Sequence, residues 1–223
     1  MPSILKILQY KDKYEKVMSL PPEKSDNAQR VIRIHNFIAS WPQINPGAVS
    51  KVLDIGAGTG VFLARFLEEA KKRKYNWNGV AVESDPIASD HLRSLKLFDV
   101  IEGEFPISGS PLNNFDLCTL NKIVEHIPEP VQFLKKVAEA LSPKSGLLYI
   151  EVPDELTINY RPPVDNILGS LHRHLYNPRS LAYLLDAAGF ETIEVVRLFE
   201  PSGKISVAAF ATLRSAIHSL VAK

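Results

Sequence analysis

The most informative part of the sequence is Lys51-Val52-Leu53-Asp54-Ile55-Gly56-Ala57-Gly58-Thr59-Gly60. Its first half is a short apolar run, typical of a strand buried on both faces, and its second half contains three alternating glycines. Apolar residues at helical spacing follow, from Gly60 to about Lys72. Glycines let the backbone turn sharply and let a ligand approach the main chain. We therefore expect a strand, a turn and a helix, with a ligand lying across the turn.

Short apolar runs and helical stretches alternate along the middle of the chain. The apolar runs are Val52–Ile55, Val80–Val82, Phe115–Cys118 and Leu147–Ile150, and the helical stretches are residues 60–72, 87–96 and 129–141. Strands that alternate with helices favour a parallel sheet covered on both faces, because each crossover helix packs back onto the sheet. The sequence therefore predicts an α/β fold with a doubly wound sheet.

The last third of the chain has a different pattern. Pro178 to Ala188 has helical period and is followed by Gly189, a typical residue just after a helix. Two β-rich segments, Thr192–Leu198 and Ile205–Thr212, are separated by the turn sequence Glu200-Pro201-Ser202-Gly203. This pattern predicts an antiparallel hairpin at the end of the sheet.

The remaining segments set the domain organisation. Residues 1–24 end in Leu20-Pro21-Pro22 and are interpreted as an N-terminal arm, because consecutive prolines break regular structure. A helix is predicted after Ser25-Asp26-Asn27, whose side chains suit an N-cap. We expect one domain over residues 25–223. Within it, residues 153–178 form a long irregular connection that we interpret as a cover for the substrate.

Composition excludes several classes of protein. The chain has 223 residues, 45% of them hydrophobic, with 26 Lys and Arg against 25 Asp and Glu, so its net charge is +1. A chain this close to neutral gives no bulk electrostatic reason for a polyanionic partner. Cys118 is the single cysteine, which suits a reducing compartment. No secretion signal or apolar run of about 20 residues is present, so we expect a cytoplasmic protein without a membrane segment.

The glycine turn narrows the choice of ligand. Val61 stands where the dinucleotide fingerprint needs its third glycine, and the Gly-Lys-Ser/Thr of a P-loop is absent, so NAD and ATP are disfavoured. Glu83 ends the next predicted strand, where its carboxylate can accept two hydrogen bonds from a ribose diol. Asp54, beside the turn, can meet an ammonium group. S-adenosylmethionine carries both a ribose and an amino-acid end.

The sequence resembles the class I S-adenosylmethionine-dependent methyltransferases over about residues 25–212. The resemblance lies in Val52–Gly60, Glu83, Phe115-Asp116-Leu117-Cys118 and Glu125-His126-Ile127-Pro128-Glu129-Pro130. It implies a Rossmann-like, three-layer α/β/α sandwich with a seven-stranded, mostly parallel sheet whose C-terminal strand is antiparallel.

The resemblance also implies which residues contact the cofactor. Asn121, after the fourth strand, would lie beside the methionine moiety, and the adenine would meet Glu104 with Phe105, with Glu102 as an equal alternative. The complete set of expected cofactor contacts is Asp54, Gly56, Ala57, Gly58, Gly60, Glu83, Ser84, Glu104, Phe105 and Asn121.

Three histidines are the candidate catalytic bases. Methyl transfer is an in-line displacement in which the protein mainly positions the nucleophile, and a hydroxyl or acidic carbon also needs a base such as imidazole. His126 follows the fourth predicted strand, and His172 and His174 lie in the long connection. A zinc site of the last two histidines with Asp165 is conceivable, but the spacing fixes no third ligand, so we expect no metal ion.

The acceptor is predicted only as a class. Residues 172–190 and Glu151-Val152-Pro153-Asp154 resemble a methyltransferase branch of bacterial polysaccharide and nucleotide-sugar pathways, which implies a small polar acceptor such as a sugar or nucleotide sugar. The alternatives are a catalytically silent binding protein with this fold and a methyltransferase that acts on RNA or protein. Leu120-Asn121-Lys122-Ile123 lacks the Pro-Pro-aromatic segment that grips a flipped base, which disfavours nucleic acid.

Overall fold

The computed structural model describes residues 4–45, 47–108, 112–160 and 172–214. The chain forms two compact units, Met1–Pro111 and Leu112–Lys223. Within the described residues, no helix combines the length and the apolar character needed to cross a membrane.

The first unit contains three parallel strands with helices between them. Its elements are α1 (Ile4–Met18), α2 (Asp26–Ser40), β1 (Val49–Ile55), α3 (Val61–Lys72), β2 (Asn76–Glu83), α4 (Pro86–Leu95) and β3 (Asp99–Glu102), with a 3-10 turn at Pro22–Lys24. β2 lies between β1 and β3, and it pairs with both in parallel. All three strands therefore end at the same edge of the sheet, where ligands of open α/β folds bind.

Side chains cap two helices of this unit; the cap before α2 was predicted and the cap before α4 was not. The Ser25 hydroxyl accepts a hydrogen bond from the Ala28 N–H and begins α2. The Asp85 carboxylate accepts one from the Ile87 N–H and begins α4, with Pro86 in the first turn. Each cap satisfies a backbone donor that has no partner within the helix. The region interpreted as an N-terminal arm contains α1, which packs against α4 and α3.

The second unit combines parallel and antiparallel strands. Its elements are β4 (Leu117–Asn121), a 3-10 turn (Val124–His126), α5 (Pro130–Ala140), β5 (Leu147–Pro153), α6 (Thr157–Tyr160), α7 (Pro178–Ala187), β6 (Phe190–Phe199) and β7 (Ile205–Leu213). β5 pairs with β4 in parallel and with β7 in antiparallel orientation, and β6 pairs with β7. Every residue of β5 is buried, which explains the apolar run Leu147–Ile150 in its first half.

The predicted fold class is confirmed. Seven strands form a mostly parallel sheet with antiparallel C-terminal strands, flanked by helices. The predicted hairpin is present, and its turn is closed by hydrogen bonds from the Glu200 N–H to the Lys204 carbonyl and from the Gly203 N–H to the Glu200 carbonyl, each 2.8 Å. The fourth strand begins two residues later than expected, since Phe115 forms only an isolated bridge with Leu141.

The predicted substrate cover is described only at its two ends. Asp154 forms an isolated bridge with Tyr176, so the beginning and the end of the connection lie side by side. Residues 161–171, which include Asp165, lie outside the described residues.

Candidate functional site

The glycine turn lies between β1 and α3, and its three glycines have positive φ. The values are 73° at Gly56, 55° at Gly58 and 77° at Gly60, in the left-handed region that side chains disfavour. A Cβ added at Gly60 would lie 2.5 Å from Leu92 Cδ2, whereas one at Gly58 would have no heavy atom within 4 Å. Gly60 is therefore needed for close packing, while Gly58 leaves one face of the turn open.

The backbone of the turn is tied to the next strand. The N–H groups of Gly56 and Ala57 both donate to the Val82 carbonyl, at 2.8 and 3.2 Å. These bonds hold the main chain in its turned conformation without using any side chain. The open face at Gly58 is therefore rigid as well as accessible, which suits the close approach of a ligand.

Glu83 lies at the end of β2 and accepts two backbone hydrogen bonds. One carboxylate oxygen accepts from the Gly58 N–H at 2.7 Å, and the other accepts from the Asp85 N–H at 2.9 Å. A carboxylate offers about four lone-pair positions, so two acceptor positions remain for a ligand. The side chain is half-buried, and Ser84 beside it is exposed. The predicted ribose-binding residue is thus held in a fixed orientation beside the glycine turn.

Asp54 belongs to the same edge of the first unit. It is the last but one residue of β1 and is only 2% exposed. The parallel register pairs Asp54 with Ala81, so its strand ends next to the strand that carries Glu83. Its carboxyl group therefore lies near the end of β1, just before the glycine turn.

The two candidate adenine-binding glutamates differ in environment. Glu102 pairs with Glu83 in the sheet register and forms a 3.0 Å ion pair with Arg93. Glu104 is exposed, and Phe105 next to it is half-buried. The Gly103 N–H donates to the Glu83 carbonyl at 2.9 Å, which ties this segment to the end of β2.

Sequence reasoning gave Asp85 no role at the site. In the structure, one of its oxygens caps α4 and the other accepts a 2.8 Å hydrogen bond from the Tyr10 hydroxyl of α1. Burial, followed by this hydrogen bond, raises the pKa of Tyr10 to about 12. The Tyr10 ring also stacks on His91 of α4. The Asp-Pro pair was a visible N-cap signal, but nothing in the sequence indicated its partner 75 residues away.

The three predicted histidines come together in the second unit. The Arg173 and His174 N–H groups donate to the Glu125 carbonyl at 2.8 and 3.2 Å, which fixes this segment against the turn after β4. The rings of His126 and His172 make an edge contact with centroids 4.6 Å apart. The His174 Nε2 lies 3.0 Å from the Ile127 carbonyl. Because a carbonyl only accepts, that nitrogen carries a proton in this arrangement.

Glu125 was quoted in the sequence motif but was assigned no role. Its side chain is only 1% exposed, and burial raises the pKa of its carboxyl group to about 7. Within the described residues its Oε2 atom has no hydrogen-bond partner. Glu125, His126 and His172 each place one potential ligand atom within 4.8 Å of the others. These three side chains could hold a metal ion.

Other polar groups surround this cluster. Lys122 forms a 3.3 Å ion pair with Glu151, which also accepts a 2.6 Å hydrogen bond from the Tyr149 hydroxyl. The Tyr176 hydroxyl is buried, and desolvation together with the charge of Glu125 raises its pKa to about 12. Asn121 is half-buried at the end of β4, opposite Glu151 in the register. The carboxyl edge of this unit is therefore rich in buried proton-donating and proton-accepting groups.

Comparisons with known proteins show the family of the chain. The sequence profile of a methyltransferase domain family matches residues 23–195. A probable S-adenosylmethionine-dependent methyltransferase of Mycolicibacterium smegmatis is 24% identical over 153 residues, which span 68% of this chain and 56% of that relative. The chain therefore matches little more than half of the relative's length.

Two solved structures show that the fold is shared at low identity. The 1,6-didemethyltoxoflavin-N1-methyltransferase of Burkholderia thailandensis, solved with its substrate and S-adenosylhomocysteine, is 19% identical with a TM-score of 0.61, over 92% of this chain and 85% of its own. A cyclase is 16% identical with a TM-score of 0.59, over 81% and 80%. Likeness at this level shows the fold alone, whereas the profile match covers most of the chain. The chain therefore belongs to the class I S-adenosylmethionine-dependent methyltransferase family.

Proposed function

We propose that the protein transfers a methyl group from S-adenosylmethionine to a small polar acceptor. The observation that carries this proposal is the Glu83 carboxylate, fixed by two backbone N–H groups beside the open face of Gly58. When bound, S-adenosylmethionine supplies a methyl group on a positively charged sulfur that a nucleophile can displace. The residues of this chain have to bind that cofactor, orient the acceptor and receive a proton.

Most of the cofactor contacts that we propose come from residues of the first unit. Glu83 retains acceptor positions for the two ribose hydroxyls. Asp54 offers a buried carboxylate for the ammonium group of the cofactor. A hydrogen bond between two charged groups is stronger than one between neutral groups. We assign the adenine to Glu104 and Phe105, because Glu102 already pairs with Arg93. The remaining proposed contacts are Gly56, Ala57, Gly58, Gly60, Ser84 and Asn121.

A small polar acceptor is favoured over nucleic acid. The basic run Lys71-Lys72-Arg73-Lys74 lies at the end of α3, and two of its members pair with acids one turn earlier: Lys72 with Glu68, and Arg73 with Glu69. Such pairing at a helix C-terminus is explained by helix stability and solubility. The Burkholderia methyltransferase of similar fold was solved with bound 1,6-didemethyltoxoflavin, and we propose a small acceptor here by analogy. A sugar or nucleotide sugar fits the polar cluster of the second unit, and the single cysteine, Cys118, suits the cytoplasm.

The acceptor's proton would pass to a histidine of the second unit. In a neutral imidazole one nitrogen carries a proton and the other accepts one. The His174 Nε2 donates to the Ile127 carbonyl, so Nδ1 is its proton acceptor. His126 and His172, whose rings are in edge contact, are the other two candidates. Turnover should therefore depend on a histidine, whereas cofactor binding should not.

Calorimetry and a labelled methyl donor test the proposal in two stages. We expect S-adenosylmethionine and S-adenosylhomocysteine to bind the wild-type protein and Glu68→Ala equally, and to bind Glu83→Ala at least about tenfold more weakly, because two hydroxyl hydrogen bonds are lost. Glu68 is an exposed glutamate of the same unit. A folded protein that ignores both compounds at millimolar concentration would refute the proposal.

The second stage separates catalysis from binding. Sugars, nucleotide sugars, small amines and hydroxylated metabolites are incubated with radiolabelled cofactor, and labelled product is counted. We expect one of these classes to be methylated. Cofactor binding without methylation of any of these small acceptors, RNA or protein would instead support the silent binding protein.

A further inference from the structure

We propose that Glu125, His126 and His172 form a binding site for a first-row divalent metal ion, with zinc as the best match. The sequence led us to expect no metal ion, and this site was not predicted because its members stand at positions 125, 126 and 172. The fold brings them together: the 173–174 backbone bonds to the Glu125 carbonyl, and that contact places His172 against His126.

The distances are within reach of a metal ion. One potential ligand atom from each side chain lies within 4.8 Å of the other two. Around a tetrahedral ion with bonds of about 2.0 to 2.1 Å, neighbouring ligand atoms are about 3.3 Å apart. Rotation of the histidine rings, which are only half-buried, can supply the remaining movement. The buried carboxylate therefore serves as the fixed ligand and the two imidazoles close onto the ion.

Glu125 gives a second, independent reason for a cation. Its side chain is 1% exposed, yet Oε2 has no hydrogen-bond partner among the described residues. Burial disfavours the charged form of a carboxyl group, so the ionised form of Glu125 needs a compensating cation. The charge of Lys122 acts on Glu125, but its ammonium group pairs with Glu151 and bonds to Ser206 and forms no hydrogen bond with Oε2. A bound ion would supply the partner that Glu125 lacks.

The ligand set indicates the kind of ion. Two imidazole nitrogens and one carboxylate oxygen suit zinc and its first-row neighbours, whereas magnesium and calcium prefer oxygen ligands only. A carboxylate and two neutral imidazoles carry one negative charge, so the loaded site keeps one positive charge. Three protein ligands leave at least one coordination position open, as in zinc sites that bind substrate rather than maintain structure.

The open position suggests the chemical class of acceptor, and this step rests on the proposed function. An oxygen donor, such as a hydroxyl or a carboxylate, could occupy it. A metal ion lowers the pKa of a bound hydroxyl. The acceptor of the methyl group would then carry an oxygen donor close to the methylated atom.

Cobalt(II) is a suitable probe because its visible absorption reports its ligands, whereas zinc has no such spectrum. Protein treated with EDTA and dialysed would be titrated with cobalt(II), and then with zinc in competition. We expect one cobalt ion per chain, a visible spectrum of four- or five-coordinate cobalt, and displacement by zinc. His172→Asn and Glu125→Gln should each bind cobalt at least about tenfold more weakly. His174→Gln is the matched control, because it alters a histidine of the same segment outside the proposed ligand set.

Wild-type protein that binds no cobalt at millimolar concentration, or binds it equally well in His172→Asn and Glu125→Gln, would overturn the proposal. If either variant fails to fold, NMR of the imidazole nitrogens in the wild-type protein is used instead. Zinc should shift the resonances of two of the six histidines and leave those of the other four unchanged. A spectrum that zinc does not change would refute the site. Calorimetry of S-adenosylmethionine in EDTA tests the proposed function separately, so either result can fail alone.

Discussion

Gly58 and Glu83 are joined by a 2.7 Å hydrogen bond from the glycine N–H to a carboxylate oxygen, across 25 residues of sequence. The bond links the turn after β1 to the end of β2. It gives the glycine turn a fixed partner before any ligand is present, so the carboxylate does not have to be ordered when the cofactor binds. Preorganisation of this kind improves affinity because less conformational entropy is lost on binding.

The open face of Gly58 gives the first prediction. Gly58→Ala should lower the free energy of unfolding by about 1 to 2 kcal/mol, because φ is 55° at this position. It should also weaken S-adenosylmethionine binding about tenfold or more, because the new methyl group occupies the open face. Gly203→Ala is the matched control: its φ is 78° and its Cβ would also meet nothing within 4 Å, but it lies in the hairpin turn. Thermal unfolding and calorimetry of both variants check this. Equal affinities in the two variants would show that the face of Gly58 is not used.

The contact between Tyr10 and Asp85 gives the second prediction. Tyr10→Phe removes one partly buried hydrogen bond to a carboxylate and should lower stability by about 1 to 2 kcal/mol. It should also increase amide hydrogen exchange in α1, which this bond ties to α4. Asp85 keeps its hydrogen bonds to Ile87 and Glu83, so cofactor affinity should change by less than about threefold.

Tyr183→Phe is the control for this experiment. The Tyr183 hydroxyl accepts a hydrogen bond from Arg179 at an exposed position of α7, where a lost bond is replaced by water. The free energy of unfolding of Tyr183→Phe should stay within about 0.5 kcal/mol of the wild-type value. If Tyr10→Phe behaved in the same way, the hydrogen bond would not be what holds α1.

The two units show what the sequence could and could not predict. β5 and the 200–203 turn were predicted because their signals are local: an unbroken apolar run, and turn residues between β-rich segments. Glu83 was placed correctly at the end of its strand for the same reason. Its bond to the Gly58 N–H was not predicted, since it depends on the register and twist of two strands.

The polar cluster of the second unit was beyond sequence reasoning in a different way. Glu125 reads as an ordinary charged residue in a turn, and only the fold shows that it is withdrawn from water. His172 was selected for its position in a long connection, but its contact with His126 arises from backbone bonds to the Glu125 carbonyl. Backbone bonds between distant segments leave no residue pattern in a single sequence.

His35 gives a prediction about pH. The imidazole is completely buried in α2, stacks on Phe66 and bonds through Nε2 to the Phe66 carbonyl. Burial is the main cause of its lowered pKa, since it disfavours the charged ring. In the unfolded chain the ring binds a proton near pH 6.5, so just below that pH the unfolded state holds more protons than the folded state. The stability contribution of neutral His35 is therefore present above pH 6.5 and is lost as the pH falls towards the folded pKa.

Urea unfolding at pH 5, 6 and 7 measures this effect. His35→Gln keeps a donor for the Phe66 carbonyl but does not titrate, so the pH slope should decrease by up to about 1.4 kcal/mol per pH unit. His91→Gln is the comparison, because burial also lowers the pKa of His91. A His35→Gln protein with the wild-type slope would contradict the assignment.

His174 gives the prediction that tests proton transfer. With Nε2 donating to the Ile127 carbonyl, Nδ1 is the nitrogen that can receive a proton from the acceptor. His174→Gln can keep the donor to Ile127 but offers no base, so kcat should fall about 100-fold or more while S-adenosylmethionine affinity stays the same. A variant with a wild-type kcat would remove His174 as the base.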